Sequence, residues 1–250
     1  MRGTIMTTLL HIDTSARPGR SDLQAHGSHT RRLSARFVER WHAARPADAI
    51  VRRDVGQHPP APVSGAWIHA AFTPPARREP WMQEALAASD VLVDELISAD
   101  LIVAGVPMYN FSMPAAFKAY IDQVVRVGRT FGFDRARDGA PYWPLLDDRP
   151  RRLVILSSRG DFGYADRLRS LDHVEASVRS AFAYVGITEV HALAVEYDEF
   201  GGERLLRSLA EAETATDALV DRLLQMPSVA TPMPDPSVRP VQRAPSICTE

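Results

Sequence analysis

Residues 101–106, Leu-Ile-Val-Ala-Gly-Val, form an unbroken apolar run that stops at Pro107. A strand apolar on both faces belongs inside a sheet covered on both sides, which is the arrangement of parallel α/β sheets. Pro107 locks φ and has no N–H to give a neighbouring strand, so the chain leaves the sheet there. Tyr109, Asn110 and Phe111 follow at once, and Pro114 then suits the first turn of a helix. A polar and aromatic loop at the carboxyl end of a buried parallel strand is where open α/β sheets bind ligands.

The rest of the chain repeats the alternation. Its 250 residues suffice for one domain with a full core. Strands are expected at residues 8–13, 49–55, 153–157 and 188–195, beside the run at 101–106. Helical periodicity links Leu33, Phe37, Val38 and Trp41, with Thr30 as N-cap, and recurs in Ala85, Leu92 and Leu96 over residues 81–98. It returns in Phe117, Tyr120, Ile121, Val124 and Val125, and in Leu171, Val174, Val178, Phe182 and Val185, which Gly186 closes. Leu205, Leu209, Ala212, Leu219 and Leu223 mark a last helix over residues 202–226. Strands alternating with helices, joined by right-handed crossovers, predict a flavodoxin-like three-layer sandwich: a five-stranded parallel sheet, order 2-1-3-4-5, with helices on both faces.

Two stretches stand apart. Pro59, Pro60, Pro62, Pro74 and Pro75 mark a segment too long for an ordinary connection, hence a surface excursion or a subunit contact. Residues 227–250 hold six prolines in 24 positions and are expected to be a mobile tail following a domain over residues 1–226.

Composition removes several classes of function. A formal charge of −2 offers no electrostatic case for nucleic acid or an anionic membrane. Cys248 is the only cysteine, so disulfides and thiolate metal sites within the chain are excluded. No apolar run approaches the roughly 18 residues of a membrane span, and no signal-peptide core is present, which implies a cytoplasmic protein. The eight histidines lack metal-ligand spacing, so no metal is expected, and His173 reads as a residue that either packs in the core or supports a neighbouring site residue. No nucleophile elbow, Walker loop or dinucleotide Gly-x-Gly-x-x-Gly occurs.

The chemistry then rests on three loops after strands one, three and four. The first carries Ser15, Ser28, His29 and Thr30 ahead of a helix; hydroxyls and free N–H groups there suit a phosphate, although Thr30 alone also reads as a simple cap. In the second, Asn110 both donates and accepts, while Tyr109 and Phe111 offer flat faces. Together they suit a planar heterocycle with a hydrogen-bonding edge, such as a flavin. The third is Ser158-Arg159-Gly160-Asp161, in which Gly160 permits a tight turn or close approach to a ligand, and which alone equally suits an ordinary strand-to-helix turn.

Met108-Tyr109-Asn110-Phe111, followed by Lys118, Tyr120 and Asp122, resembles the flavin loop of the FMN-dependent NADH-azoreductase and NAD(P)H:quinone oxidoreductase family. Residues 33–38 resemble that family's first helix, and Ser158-Arg159-Gly160 its second flavin loop; the similarity spans residues 8–225. The resemblance implies tightly bound FMN, with Ser15, Ser28, His29 and Thr30 around the phosphate, Pro107, Met108, Tyr109, Asn110 and Phe111 along the isoalloxazine, and Ser158, Arg159, Gly160 and Asp161 on the pyrimidine side. NADH or NADPH would bind transiently and a quinone or azo compound would follow in ping-pong order, in a pocket shaped by Phe111, Phe162, Tyr164, Tyr142 and Trp143. The flavin would do the chemistry, with no catalytic side chain and with backbone donors at Asn110 and Phe111 near N5 and O4. A homodimer with flavin at the interface is the family pattern. Asp161 departs from it, standing where many relatives have a second glycine. Two other readings remain open on sequence alone: an FMN reductase or electron-transfer flavoprotein, and a pathway-specialised or non-catalytic descendant.

Overall fold

The computed structural model describes residues 6–226. The chain runs β1 (Thr8–Asp13), α1 (His29–Ala44), β2 (Ala49–Asp54), α2 (Gly65–Phe72), α3 (Pro80–Ser98), β3 (Leu101–Pro107), α4 (Ala115–Val124), β4 (Phe131–Phe133), β5 (Tyr142–Pro144), β6 (Arg152–Ser158), α5 (His173–Val185), β7 (Glu189–Val195) and α6 (Gly202–Gln225). Five strands pair in parallel in the order β2-β1-β3-β6-β7, which is 2-1-3-4-5 among the main strands, as predicted. β3 is buried along its whole length at the centre. Ile102, Ala104 and Val106 face α3, α4 and α5, packing among Leu92, Phe117, Ile121, Val178 and Phe182. Leu101 and Val103 face α1 and α6, among Leu33, Phe37, Leu209 and Leu219. The two-residue side-chain period of a strand therefore feeds two separate cores from one apolar run.

Arg32 with Glu213, Arg36 with Asp217 and Arg40 with Asp221 form a ladder of ion pairs between α1 and α6, each at 2.7 Å. Exposed pairs of this kind contribute about 0–1 kcal/mol each. The hydrophobic seam beneath them does more to hold the helices together.

Four expectations change. Ser28, not Thr30, caps α1: its extended backbone lets its hydroxyl accept the Arg31 N–H at 3.3 Å, while Thr30 lies inside the first turn with Oγ1 2.9 Å from Ser28 Oγ. The proline-rich excursion contains α2, which packs Trp67, Ala70 and Ala71 on Met82 and Leu86 of α3. Residues 128–148, where the sequence pattern predicts a loop rich in Gly, Asp and aromatics, contain the antiparallel β4–β5 hairpin. Finally, α5 starts at His173 because Asp172 caps it, so Leu171 and His173 are both exposed and His173 is not a packing residue. Gly186 closes α5 with a left-handed φ of 111°, as expected. The proline-rich tail lies outside the described residues.

Gly105 has a particular task in β3. A Cβ there would lie 3.2 Å from both Asp13 Oδ1 and the Thr30 carbonyl and 3.3 Å from Ser34 Oγ. Its missing side chain lets the first turn of α1 settle against the sheet edge, a recurrent use of glycine in strands. Gly105→Val is expected to lower unfolding free energy by about 1–3 kcal/mol through overpacking, with Gly105→Ala milder; chemical denaturation measures both. Equal stability of the Val variant and the parent would show that the close approach is unimportant.

Candidate functional site

The carboxyl ends of β1, β3 and β6 come together at one edge, and the three loops predicted from sequence meet there. They are bonded directly. The Ala16 N–H donates to Tyr109 Oη at 3.1 Å, and the Met108 N–H donates to the Ser158 carbonyl at 2.8 Å. Between them opens a cleft of about 240 Å³ lined by Ser15, Arg17, Ser28, His29, Pro107, Met108, Tyr109, Ser158, Gly160, Asp198 and Glu199. Eight of these residues were predicted from the sequence. Arg17, Asp198 and Glu199 were not.

At one end of the cleft stands the N-terminus of α1. Its first-turn amides have no intrahelical acceptors, and its dipole favours an anion. Ser15 and Ser28 add hydroxyls and Arg17 adds a cation, while Thr30 is fully buried behind Ser28. Arg31 organises the floor: its guanidinium donates to both Asp54 oxygens at 2.7 and 2.8 Å, to the Ser15 carbonyl at 2.8 Å and to the Arg17 carbonyl at 2.7 Å. One planar, five-donor side chain thus shapes the loop after β1 and ties it to the end of β2.

His29 does not face solvent. Its Nδ1 lies 2.8 Å from Ser21 Oγ and its Nε2 3.2 Å from Asp198 Oδ1; Arg17 approaches the same carboxylate at 3.7 Å. The His29 hydrogen bond, reinforced by both charges, holds the Asp198 carboxyl below the ordinary carboxylate range against the opposing effect of burial. Asp198 arrives on the β7–α6 connection, which is stitched to the third loop by N–H donations from Tyr197 to Asp161, Asp198 to Arg159 and Glu199 to Gly160, at 3.3, 3.1 and 3.2 Å. Nothing local in the sequence marks Asp198, since it reaches His29 only through the topology.

At the other end, Tyr109, Asn110, Phe111 and Ser112 make a tight turn. The Tyr109 N–H donates to the Ser112 carbonyl at 2.8 Å and the Ser112 N–H returns the bond at 3.1 Å. Asn110 and Phe111 have φ of 48° and 69°. Asparagine tolerates the left-handed region; a bulky phenylalanine there is a true outlier. Their two N–H groups have no partner among the described residues, and the rings of Tyr109 and Phe111 are 38% and 49% exposed. Strained backbone that presents free donors and bare rings is a common mark of a ligand site.

The other candidates sit around this cleft or away from it. Arg159 turns to Asp172, and Asp161 accepts the Phe162 N–H at 2.8 Å with Arg167 3.6 Å away. Phe162 stacks on Tyr197 at 4.7 Å, while Tyr164 is buried under the Arg159 guanidinium at 5.4 Å. Tyr142 and Trp143 belong to the β4–β5 hairpin, where Tyr142 stacks on Phe133 at 4.7 Å; neither lines the cleft. Among the described residues no group of three or more His, Cys, Asp or Glu side chains could hold a metal ion. No helix among them is long and apolar enough to cross a membrane.

A family model described as Flavodoxin-like fold matches residues 7–220, and the chain belongs to that family. It is 42% identical over 210 residues to an FMN-dependent NADH:quinone oxidoreductase of Nostoc punctiforme, covering 84% of this chain and 96% of the relative. It is 40% identical over 217 residues to FMN-dependent NAD(P)H:quinone oxidoreductase 1 of Pseudomonas aeruginosa, covering 86% and 98%. Among solved structures, an azoreductase from Bacillus anthracis shares the fold with a TM-score of 0.74 at 20% identity, covering 87% of this chain and all of the other.

The Asp198–His29 contact has a sign that can be tested. A carboxyl whose folded pKa is depressed contributes stability above its unfolded value, here the ordinary 3.8, and loses it as pH falls through the lower folded value. In acid, the parent protein is expected to lose stability more steeply below that value than Asp198→Asn. Parallel acid limbs in thermal unfolding would show that the contact adds nothing.

Proposed function

We propose that the protein is an FMN-dependent NAD(P)H oxidoreductase that reduces quinones or azo compounds by two electrons. The observation that carries this reading is the cleft that runs from the N-terminus of α1 to Met108 and Tyr109, where the exposed Asn110–Phe111 turn begins. The residues present fit FMN. Hydroxyls, cations and first-turn amides suit its phosphate, and a wall of Met108 and Tyr109 with free N–H groups beyond suits its ring system. Relatives named for FMN-dependent quinone reduction support the same reading.

Ser15, Ser28 and His29, with Arg17, would hold the phosphate, and Thr30 would back Ser28 from behind. Pro107, Met108, Tyr109, Asn110 and Phe111 would line the isoalloxazine, and Ser158, Arg159, Gly160 and Asp161 would stand on the pyrimidine side. When bound, FMN supplies the redox centre that accepts two electrons from a nicotinamide and passes them to the acceptor. The chain's part is orientation and electrostatics. The Asn110 and Phe111 N–H groups have no partner among the described residues, so they would be available to stabilise charge on a ring edge. No side chain needs to act as nucleophile or base. Asp198 offsets part of the positive field around the phosphate end, so an incoming phosphate competes with it for His29 and Arg17.

Anaerobic visible spectroscopy tests the assignment. The protein loaded with FMN and stripped of excess should stay yellow, bleach with NADH and regain colour on addition of a quinone; a preparation that refuses FMN sinks the reading. Asn110→Ala should weaken flavin retention about tenfold, the loss expected when about 1.4 kcal/mol of contact is removed. Asn110→Gly keeps the left-handed backbone, so retention at the parental level in that variant would assign the effect to conformation instead of the amide.

We also place a second copy of the chain against the face formed by α4 and α5. A groove there is lined by Ile121, Val125, Ala176, Ala181 and Tyr184, with Asp122, Ser177 and Ser180 as its polar members, and exposed Tyr142 stands 6.2 Å from Tyr184. The face adjoins Phe111, whose carbonyl is bonded to the start of α5. Sedimentation should find a dimer in the parent and a monomer in Ala181→Glu, because a second carboxylate buried in a groove that already holds Asp122 is left unpaired. A parent that sediments as a monomer at micromolar concentration would refute this placement.

A further inference from the structure

Left-handed backbone at two successive residues, one of them a phenylalanine, persists only when its surroundings hold it. Such residues store about 1–3 kcal/mol each. The Tyr109–Ser112 bond pair closes the turn but does not fix where the turn points. The Phe111 carbonyl is held from outside: it accepts the His173 N–H at 3.0 Å, and His173 is the first residue of α5. Asp172, immediately before it, caps that helix, with Oδ1 accepting the Val174 N–H at 3.0 Å. Its other oxygen, Oδ2, pairs with Nη2 of Arg159.

Arg159 belongs to the loop after β6. Its N–H donates to the Val195 carbonyl at 2.8 Å, and its guanidinium lies over the ring of Tyr164. The side chains of Arg159 and Asp172 are each only 11% exposed. Asp172 therefore touches both loops of the ring end of the cleft: the third loop through Arg159, and the Asn110–Phe111 turn through the helix terminus that it caps.

We propose that Asp172 is a positioning residue for flavin reduction, clamping the Asn110–Phe111 turn to the Ser158–Asp161 loop so that the free N–H groups of Asn110 and Phe111 keep one aim. The clamp rests on the FMN reading for its purpose but not for its existence. Its two contacts also separate by substitution. Asp172→Asn retains an oxygen to cap α5 and removes the charge facing Arg159. Asp172→Ala removes both, leaving the largely buried guanidinium without its carboxylate.

In the FMN-loaded protein, stopped-flow reduction by NADH should slow about tenfold in Asp172→Ala and by less in Asp172→Asn, the scale of a lost 1.36 kcal/mol contact in the transition state. The KM for quinone should stay within about twofold, because the contact acts on orientation and not on acceptor binding. The flavin midpoint potential should fall in the same order. A plain helix cap would lower Tm and leave rate and potential unchanged, and that result would overturn the proposal.

A second measurement needs no flavin. In the flavin-free protein, the bonded amides of Tyr109 and Ser112 should exchange with deuterium about tenfold faster in Asp172→Ala, through local opening of the turn. Equal exchange in both proteins overturns the clamp. Faster exchange in a protein that refuses FMN upholds the clamp and removes the flavin assignment instead, so the two failures are distinguishable.

Discussion

Parallel pairing of β1, β3 and β6 forces their carboxyl ends onto one edge of the sheet, and the cleft exists because of that constraint. A parallel strand must be followed by a crossover, so each of these ends opens into a loop before the chain turns back as a helix. Three loops meeting at one edge cannot all pack as core, since their backbone donors and acceptors need partners. Here some find one another, Ala16 with Tyr109 and Met108 with Ser158. The remainder stay open at the edge. Gly105, in the middle of the central strand, lets α1 come close enough for its N-terminus to form the cleft wall.

That edge collects charge as well as loops. Arg31 spends its donors inward, on Asp54 and on two carbonyls of the loop after β1, and so makes a rigid floor. Arg17 and His29 face the cleft, and Asp198 answers both from the opposite wall. In the free chain the positive end of the cleft is therefore partly neutralised by a residue of the same molecule. An anion entering this end meets a carboxylate already paired with His29 and Arg17.

The sequence was most legible where structure follows from local pattern. The run at 101–106 announced the central strand, and the 3.6-residue spacing of Phe117, Tyr120, Ile121 and Val124 announced α4. The three loops were read from residues that waste good core formers or gather hydroxyls. What was missed depends on contacts between distant segments. Asp198 looks like any loop aspartate until β7 brings it to His29. Arg31 looks like a helix-surface arginine until the loop after β1 wraps around it. The β4–β5 hairpin is only three residues long on each side, too short for alternation to register. Phe133 stacks on Tyr142 across it, and Phe131 makes tilted ring contacts with Tyr142 and with Tyr184 of α5. The N-cap was misassigned because Ser28 and Thr30 are both good caps two residues apart, and only the backbone conformation at Ser28 decides between them.

The Asn110–Phe111 turn shows why sequence signals fail selectively at a functional site. A two-residue turn with both φ values positive calls for Asn-Gly, and this chain supplies the asparagine but not the glycine. Taken for stability alone, Phe111 is the wrong residue, because glycine would relieve the strain at no steric cost. Phenylalanine offers instead a large exposed ring directly beside two unpaired N–H groups. The turn is closed by the pair of bonds between Tyr109 and Ser112 and held from outside by the His173 N–H at the start of α5. A local rule is broken at this turn, and one of the hydrogen bonds that hold it, from the His173 N–H, comes from an element more than one strand away in the chain.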